Sequence, residues 1–185
     1  MRLKPVVLAL TSAVALAGAA VAAGPPDIGG DWTLNHELSQ DLAAKIALAT
    51  GGNRADSDPE LGRLRDQLLL LAKRGETLEI EQAEGQVQMA YANDDVRIFY
   101  PGREHTRQLP GGGKIRAVPR WDGDTLVIEQ ALPEGAKGIE TYSLQAGGGQ
   151  LAVLLRLEAK RLHEPLTARL VYDRAGATPG ASARP

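Results

Sequence analysis

"GGDWTLN", residues 29–35, is a glycine pair followed by a short apolar-polar alternation around one of only two tryptophans in the chain. Gly30 to Asn35 reads as a β-strand. The pattern then changes. In "HELSQDLAAKIALATGG", residues 36–52, Leu38, Leu42, Ala43, Ile46 and Ala49 recur at helical spacing. Ser39 is placed to cap this helix at its start, and Gly51 to end it. Residues 53–60, "NRADSDPE", read as a turn into a second helix, with Asp58 as cap, Pro59 at the first helical position and Glu60 in the first turn. Its apolar stripe is Leu61, Leu64, Leu68 and Leu71, widened by Leu69 and Leu70, and it closes at Lys73-Arg74-Gly75. One strand followed by a helical insert at 36–74 is the arrangement that decides the rest.

From Glu76 onward the period is two. "ETLEIEQ", "QVQMAYA", "DVRIFYP", "HTRQL", "KIRAVPRW", "TLVIEQ", "IETYSL", "LAVLLRLEA" and "LTARLVYD" follow one another, separated by short turns. Asp122-Gly123 between two of them is a two-residue hairpin signal. The fold class is therefore mainly β. An antiparallel up-and-down meander of about 8–10 strands closes into a barrel, with two helices inserted between strands one and two. Closure removes exposed sheet edges, and it places the first strand beside the last. "LAVLLRLEA" is apolar on both faces at Leu154 and Leu155. A helix is expected either over its outer side or plugging the barrel mouth on its inner side.

The ends of the chain read differently. Arg2 and Lys4 precede the uncharged run "VVLALTSAVALAGAAVAA" and a small-residue zone, which has the layout of an export signal over 1–23, with cleavage after Ala23 favoured over Ala22. The domain then spans 24–174, and residues 175–185, small, polar and proline-containing, form a disordered tail. The expected location is periplasmic or secreted, with no stable membrane anchor once the signal is removed. With no cysteine, the chain has no disulfide framework and no thiolate metal ligand. A formal charge of −2, made more negative by loss of the leader, argues against nucleic acid as a partner, and aromatic residues at 4% weaken any stacking role.

The layout resembles the calycins, the superfamily of lipocalins and intracellular fatty-acid-binding proteins. Gly30-Asp31-Trp32 matches the G-x-W with which lipocalins open their first strand. The resemblance implies a structural plug in which a basic residue of the last strand, here Arg169 or Arg174, stacks on Trp32. The fatty-acid-binding branch adds a helical lid between strands one and two, and its late hairpin is similar to Trp121-Asp122-Gly123. Two features depart from that branch. Arg169 and Tyr172 are spaced by three, so a regular strand puts them on opposite faces. An internal arginine of the branch would fall near Glu129 or Gln130, and neither is basic. The opening also resembles exported bacterial proteins that begin G-x-W-x-L-N, a match that carries no activity.

The chemistry-bearing residues are few. His36, His105 and His163 lie far apart in sequence, so no local metal pair exists, and no metal or other cofactor is expected. There is no nucleophile motif, and "PGGGKIR" lacks the glycine and the hydroxyl residue of a phosphate loop, so the reading is not an enzyme. Glu79 and Glu81 share the solvent face of a strand. Arg97, Arg116 and Arg156 sit inside strand patterns, where Arg116 is a candidate for fixing an acidic head group. The neighbours Val96 and Ile98, and Ile115 and Ala117, turn Arg97 and Arg116 outward if those apolar residues face the core. Tyr91, Tyr142 and Tyr172 have apolar neighbours two residues away and are the candidates for hydroxyls inside the barrel. Leu68 represents the leucine-rich helix, which serves either core packing or contact with a ligand. The function expected is carriage of a small apolar or amphipathic, lipid-like ligand in the barrel cavity. The alternative is an envelope inhibitor or assembly factor, with a packed barrel and a protein partner bound to the helical insert.

Overall fold

The computed structural model describes residues 24–92, 95–109, 113–145 and 147–176. The expected signal, 1–23, and residues 177–185 of the expected tail lie outside the described residues. Ten strands form one antiparallel sheet. They are β1 (Gly30–Leu34), β2 (Thr77–Ala83), β3 (Gln86–Tyr91), β4 (Val96–Phe99), β5 (His105–Gln108), β6 (Lys114–Asp122), β7 (Thr125–Ala131), β8 (Lys137–Leu144), β9 (Gln150–Glu158) and β10 (Leu166–Arg174). Every pairing joins sequence neighbours except one. β1 pairs with β10, with Trp32 opposite Arg174 and Leu34 opposite Tyr172, so the sheet order is β4-β3-β2-β1-β10-β9-β8-β7-β6-β5.

The sheet is a nearly closed barrel. Its two edges, β4 and β5, meet at one corner, where the Tyr100 backbone N–H donates to His105 Nε2 at 2.9 Å and the two rings stack 5.6 Å apart. Alternation along the strands sets the interior. Trp32, Leu78, Ile80, Val87, Met89, Leu126, Ile128, Tyr142, Leu151, Val153, Leu170 and Tyr172 form one buried cluster. Removing this much apolar surface from water is the main stabilising term of the fold, at roughly 25 cal/mol per Å².

Three helices link β1 to β2: α1 (Leu42–Ala49), the single turn α2 (Arg54–Ser57) and α3 (Pro59–Arg74). α2 lies where the sequence reads as a turn. Asp41, not Ser39, caps α1, accepting from the Ala44 N–H. Ser39 instead bridges to β10, where its hydroxyl accepts from the Val171 N–H at 2.9 Å and donates to the Val171 carbonyl at 3.2 Å. The helix thus begins late, and Leu38 is left exposed ahead of it. Its end is a Schellman motif. Gly52 N–H bonds the Ala47 carbonyl and Gly51 N–H bonds that of Leu48, with Gly51 at φ +76°, a conformation that glycine adopts at least cost. α3 starts as expected, with Asp58 Oδ1 accepting from the N–H groups of Glu60 and Leu61.

The helices close the barrel mouth. Ile46, Ala49 and Leu68 pack on Leu166, flanked by Leu157 and Leu162 at the β9–β10 end. Leu154 stays exposed on the outer face, whereas Leu155 packs into the interior. Of the two positions expected for a covering helix, the inner one is occupied. No helix among the described residues is long and apolar enough to cross a membrane.

Candidate functional site

Under the helical cap, four strands turn polar side chains into the apolar interior. β8 carries the parity of buried Tyr142, so Glu140 two residues earlier also faces in, and Ile139 faces out. β7 contributes Gln130 by the same parity from Leu126 and Ile128. β3 contributes Tyr91. On β4, Phe99 is the buried anchor, paired with Val87, and its parity brings Arg97 inward.

These groups are bonded across the lumen. The Tyr142 hydroxyl donates to Glu140 Oε2 at 2.6 Å, and Gln130 Nε2 donates to Glu140 Oε1 at 2.7 Å. The Tyr91 and Tyr142 hydroxyl oxygens are 3.3 Å apart. Because the Tyr142 proton is committed to Glu140, Tyr91 is the donor between them. Arg97 spans the other side. Its Nε and Nη2 donate to Asp95 Oδ2 at 3.3 and 3.1 Å, its Nη1 lies 3.7 Å from Glu140 Oε1, and its Cζ sits 4.7 Å from the Tyr91 ring centre. Arg107 on β5 approaches Asp95 from the solvent side at 3.5 Å. Tyr172 belongs to the same interior, and a Cβ added at Gly75 would lie 3.3 Å from its hydroxyl.

Burial, and after it the Glu140 carboxylate, pushes the Tyr91 phenol up to about 12. The same two causes, in the same order, hold Tyr142 well above the ordinary tyrosine value. Burial also raises Tyr172, reinforced by Tyr91, Glu140 and Glu76. For Arg97, burial opposes the charge, but Tyr91, Glu140 and Asp95 outweigh it, and the guanidinium is held more firmly protonated than usual. All three phenols are therefore neutral hydroxyls at physiological pH, beside one cation held in place by carboxylates.

The chain matches no family model, and no curated protein sequence matches it. Solved structures do. A REP1-NXSQ fatty acid transporter superposes with a TM-score of 0.52 at 15% identity, covering 82% of this chain and 98% of that one. Apo lipid binding protein 8 of Caenorhabditis elegans gives 0.53 at 13% identity, covering 82% and 99%. A mutant of the fluorescent protein UnaG gives 0.51 at 21% identity, covering 80% and 95%. The fold is a calycin-like barrel.

Within this barrel the candidates separate. Tyr91, Tyr142 and Tyr172 all face the interior. Arg116 does not. It shares β6 with buried Ala117 at the opposite parity, its side chain is 60% exposed, and it lies 3.7 Å from Glu104 on the outer surface. Leu68 sits in the cluster between helix and mouth, away from the polar groups. Arg174 lies over Trp32 with its Cζ 4.4 Å from the ring centre, and donates to the carbonyls of Gly29 and Gly148. Arg169 has no part in this. Its odd parity against buried Ala168 and Leu170 turns it to solvent. Arg97 reverses the expectation from its neighbours: Val96 and Ile98 are the exposed pair, at 50% and 44%, and the arginine is inside. Sequence reading passed over Glu140 and Gln130 as site residues. Their signal was the parity they share with Tyr142 and Ile128.

Two concavities are present among the described residues, and Tyr91 is among the residues lining the first. One of about 330 Å³ lies against the outward-facing Asp31, Thr33, Thr77, Glu79 and Val96 of β1–β4. One of about 230 Å³, beside Thr50, Arg54, Lys160 and His163, separates the helical cap from the β9–β10 turn. Of the histidines, His36 pairs with Glu76 at 3.0 Å, and His105 holds the β4–β5 corner. Among the described residues no three histidine or acidic groups gather as a metal site would require.

Proposed function

We propose that this chain is an exported carrier that takes a small apolar or amphipathic molecule into its barrel, with the polar end of the molecule at Tyr91, Tyr142, Glu140 and Arg97. The observation that carries this reading is the bonded polar cluster in an otherwise apolar interior. A buried charged network is a poor device for stability, since apolar residues of similar volume serve at least as well. Placed beneath a helical cap and beside the unpaired β4–β5 seam, it is the arrangement of a ligand site: mostly apolar walls with a few converging polar groups. Two structural neighbours, a fatty acid transporter and a lipid binding protein, agree with an apolar cargo. The leader-like segment at 1–23 supports export to the periplasm or beyond the cell. The neighbours and the lack of a nucleophile motif favour binding over catalysis.

The test is native mass spectrometry of the full chain, followed by lipid extraction. One small molecule per chain, reduced in Tyr142→Phe, is the expected result. A chain that carries nothing, and takes up no apolar dye such as Nile red, overturns the reading.

One observation favours a second reading. The Tyr91–Tyr142 contact bridges the lumen, and Val96 and Ile98 are exposed on the outer face of edge strand β4, with Tyr100 exposed just beyond its end. A protein partner would then dock on β4, or on the helical insert, where Leu38, Leu48 and Leu70 are exposed. In the former case Val96→Glu abolishes complex formation and leaves dye uptake unchanged.

A further inference from the structure

We infer that the barrel selects a ligand whose polar end donates hydrogen bonds, a hydroxyl or an ammonium, and discriminates against a carboxylate. The inference rests on the carrier reading and names the chemistry of its site.

Two arginines reach the interior among the described residues. Arg174 is committed at the far end of the barrel, to the Trp32 face and the carbonyls of Gly29 and Gly148. Arg97 directs Nε and Nη2 at Asp95 and turns Nη1 toward Glu140. Its charge is thus already matched, and Arg107 matches Asp95 from outside. Among the described residues no spare cation faces an incoming anion.

The negatively charged acceptor, by contrast, has unfilled lone pairs. A carboxylate has about four lone-pair sites. Glu140 uses one for Gln130 and one for Tyr142, and Arg97 stands at 3.7 Å, beyond hydrogen-bond distance. Because both bonded neighbours donate to it, Glu140 is held as an acceptor. Gln130 spends one of its two amide N–H groups on Glu140 and keeps the other, beside its carbonyl oxygen. A hydroxyl or ammonium entering here meets free lone pairs at Glu140, which retains 19% side-chain exposure and is reachable. A carboxylate meets another carboxylate in a site with little water to screen them. The alkyl part has Met89, Ile128, Val153 and Leu155 to pack against.

The experiment displaces Nile red from the full, delipidated chain with dodecan-1-ol, dodecylamine and dodecanoate, each below its aggregation threshold, in the wild type and in Glu140→Gln. The alcohol and the amine should displace the dye at concentrations roughly tenfold lower than the carboxylate, a factor worth about 1.4 kcal/mol. In Glu140→Gln the gap between amine and carboxylate should fall below about threefold, because the negative acceptor is gone. Dodecanoate equal to or stronger than the other two overturns the inference and leaves the carrier reading standing. If the chain takes up no dye, or none of the three displaces it, the carrier reading itself falls. Should Glu140→Gln fail to fold, the wild-type ranking decides.

Discussion

The guanidinium of Arg174 lies 4.4 Å from the centre of the Trp32 ring, and the two residues are register partners across the β1–β10 seam. The seam joins the two ends of the sequence. The indole N–H donates to the Ile28 carbonyl at 3.1 Å, so the tryptophan is fixed from both sides. Gly30 makes room for this, since its φ is +140° and a Cβ there would collide with Arg174 Nη1.

Gly30→Ala should therefore cost about 1–3 kcal/mol, by backbone strain and displacement of the arginine. Arg174→Ala should cost about 2–3 kcal/mol, from the lost cation–π contact and the charge-assisted bonds to two carbonyls. Because both act on one contact, the double variant should fall short of the sum by at least ~0.5 kcal/mol. Urea denaturation of the four chains measures this. Full additivity would show that Gly30 and Arg174 are independent.

The seam was legible in the sequence because its parts obey parity. Trp32 and the even-numbered Leu170, Tyr172 and Arg174 each have apolar company on one face, and the length of the meander brings β1 to β10. The same parity turns Arg169 to solvent. Helix starts were less legible. Asp41 and Ser39 are both good caps, and what separates them is a long-range bond from Ser39 to Val171, which no local pattern encodes.

Arg97→Met should destabilise the fold by about 2–4 kcal/mol, since Glu140 and Asp95 lose a cation; the figure sits below the fully buried range because the pair keeps some solvent contact. Arg97→Met with Glu140→Met should recover most of this and come within about 1 kcal/mol of the wild type. Thermal melts and dye uptake, read together, test the point. A double variant as damaged as the single one would show that the network exists for stability, which removes the main support for a ligand site.

The polar site was only half legible, for a reason in β4. Val96, Arg97 and Ile98 suggest an apolar pair inside and a cation outside. The deciding residue is Phe99, buried at 6% and fixed by Val87, which sets the opposite phase. A short edge strand lacks the repeats that would make its phase plain. Glu140 was obscured differently, because an acid beside Ile139 and Thr141 suits a solvated face as well as a paired interior.

Alkaline pH should unfold the chain through its tyrosines. Tyr91 is pushed up to about 12 from the usual 10, and Tyr142 and Tyr172 are also raised. In this window the unfolded chain has released phenolic protons that the folded chain retains, so stability falls as pH rises. The contribution of Tyr91 is complete below pH 10 and is lost progressively between 10 and about 12. Tyrosinate absorbance should therefore rise for the buried phenols together with the loss of β circular dichroism. Ionisation of all the tyrosines with the β signal intact would contradict their placement in the interior.

The helical cap should be separable from the polar site. Ile46 is buried at 1% against Leu166 and the α3 leucines, so Ile46→Ala should cost about 2–4 kcal/mol through the cavity it leaves. Leu68→Ala loosens the same contact from the α3 side. Neither residue belongs to the cluster of Tyr91, Tyr142, Glu140 and Arg97. Both variants should thus speed the release of a bound alkyl probe in stopped-flow mixing, and both should preserve the preference of the wild type among alcohol, amine and carboxylate. Amide exchange should quicken in α1 and α3 while β7–β9 stay protected, because regions with fewer buried contacts open first. Unchanged release rates in both variants would show that the ligand passes elsewhere, and the β4–β5 seam, where Arg107 and Asp95 stand, would then be the route to test.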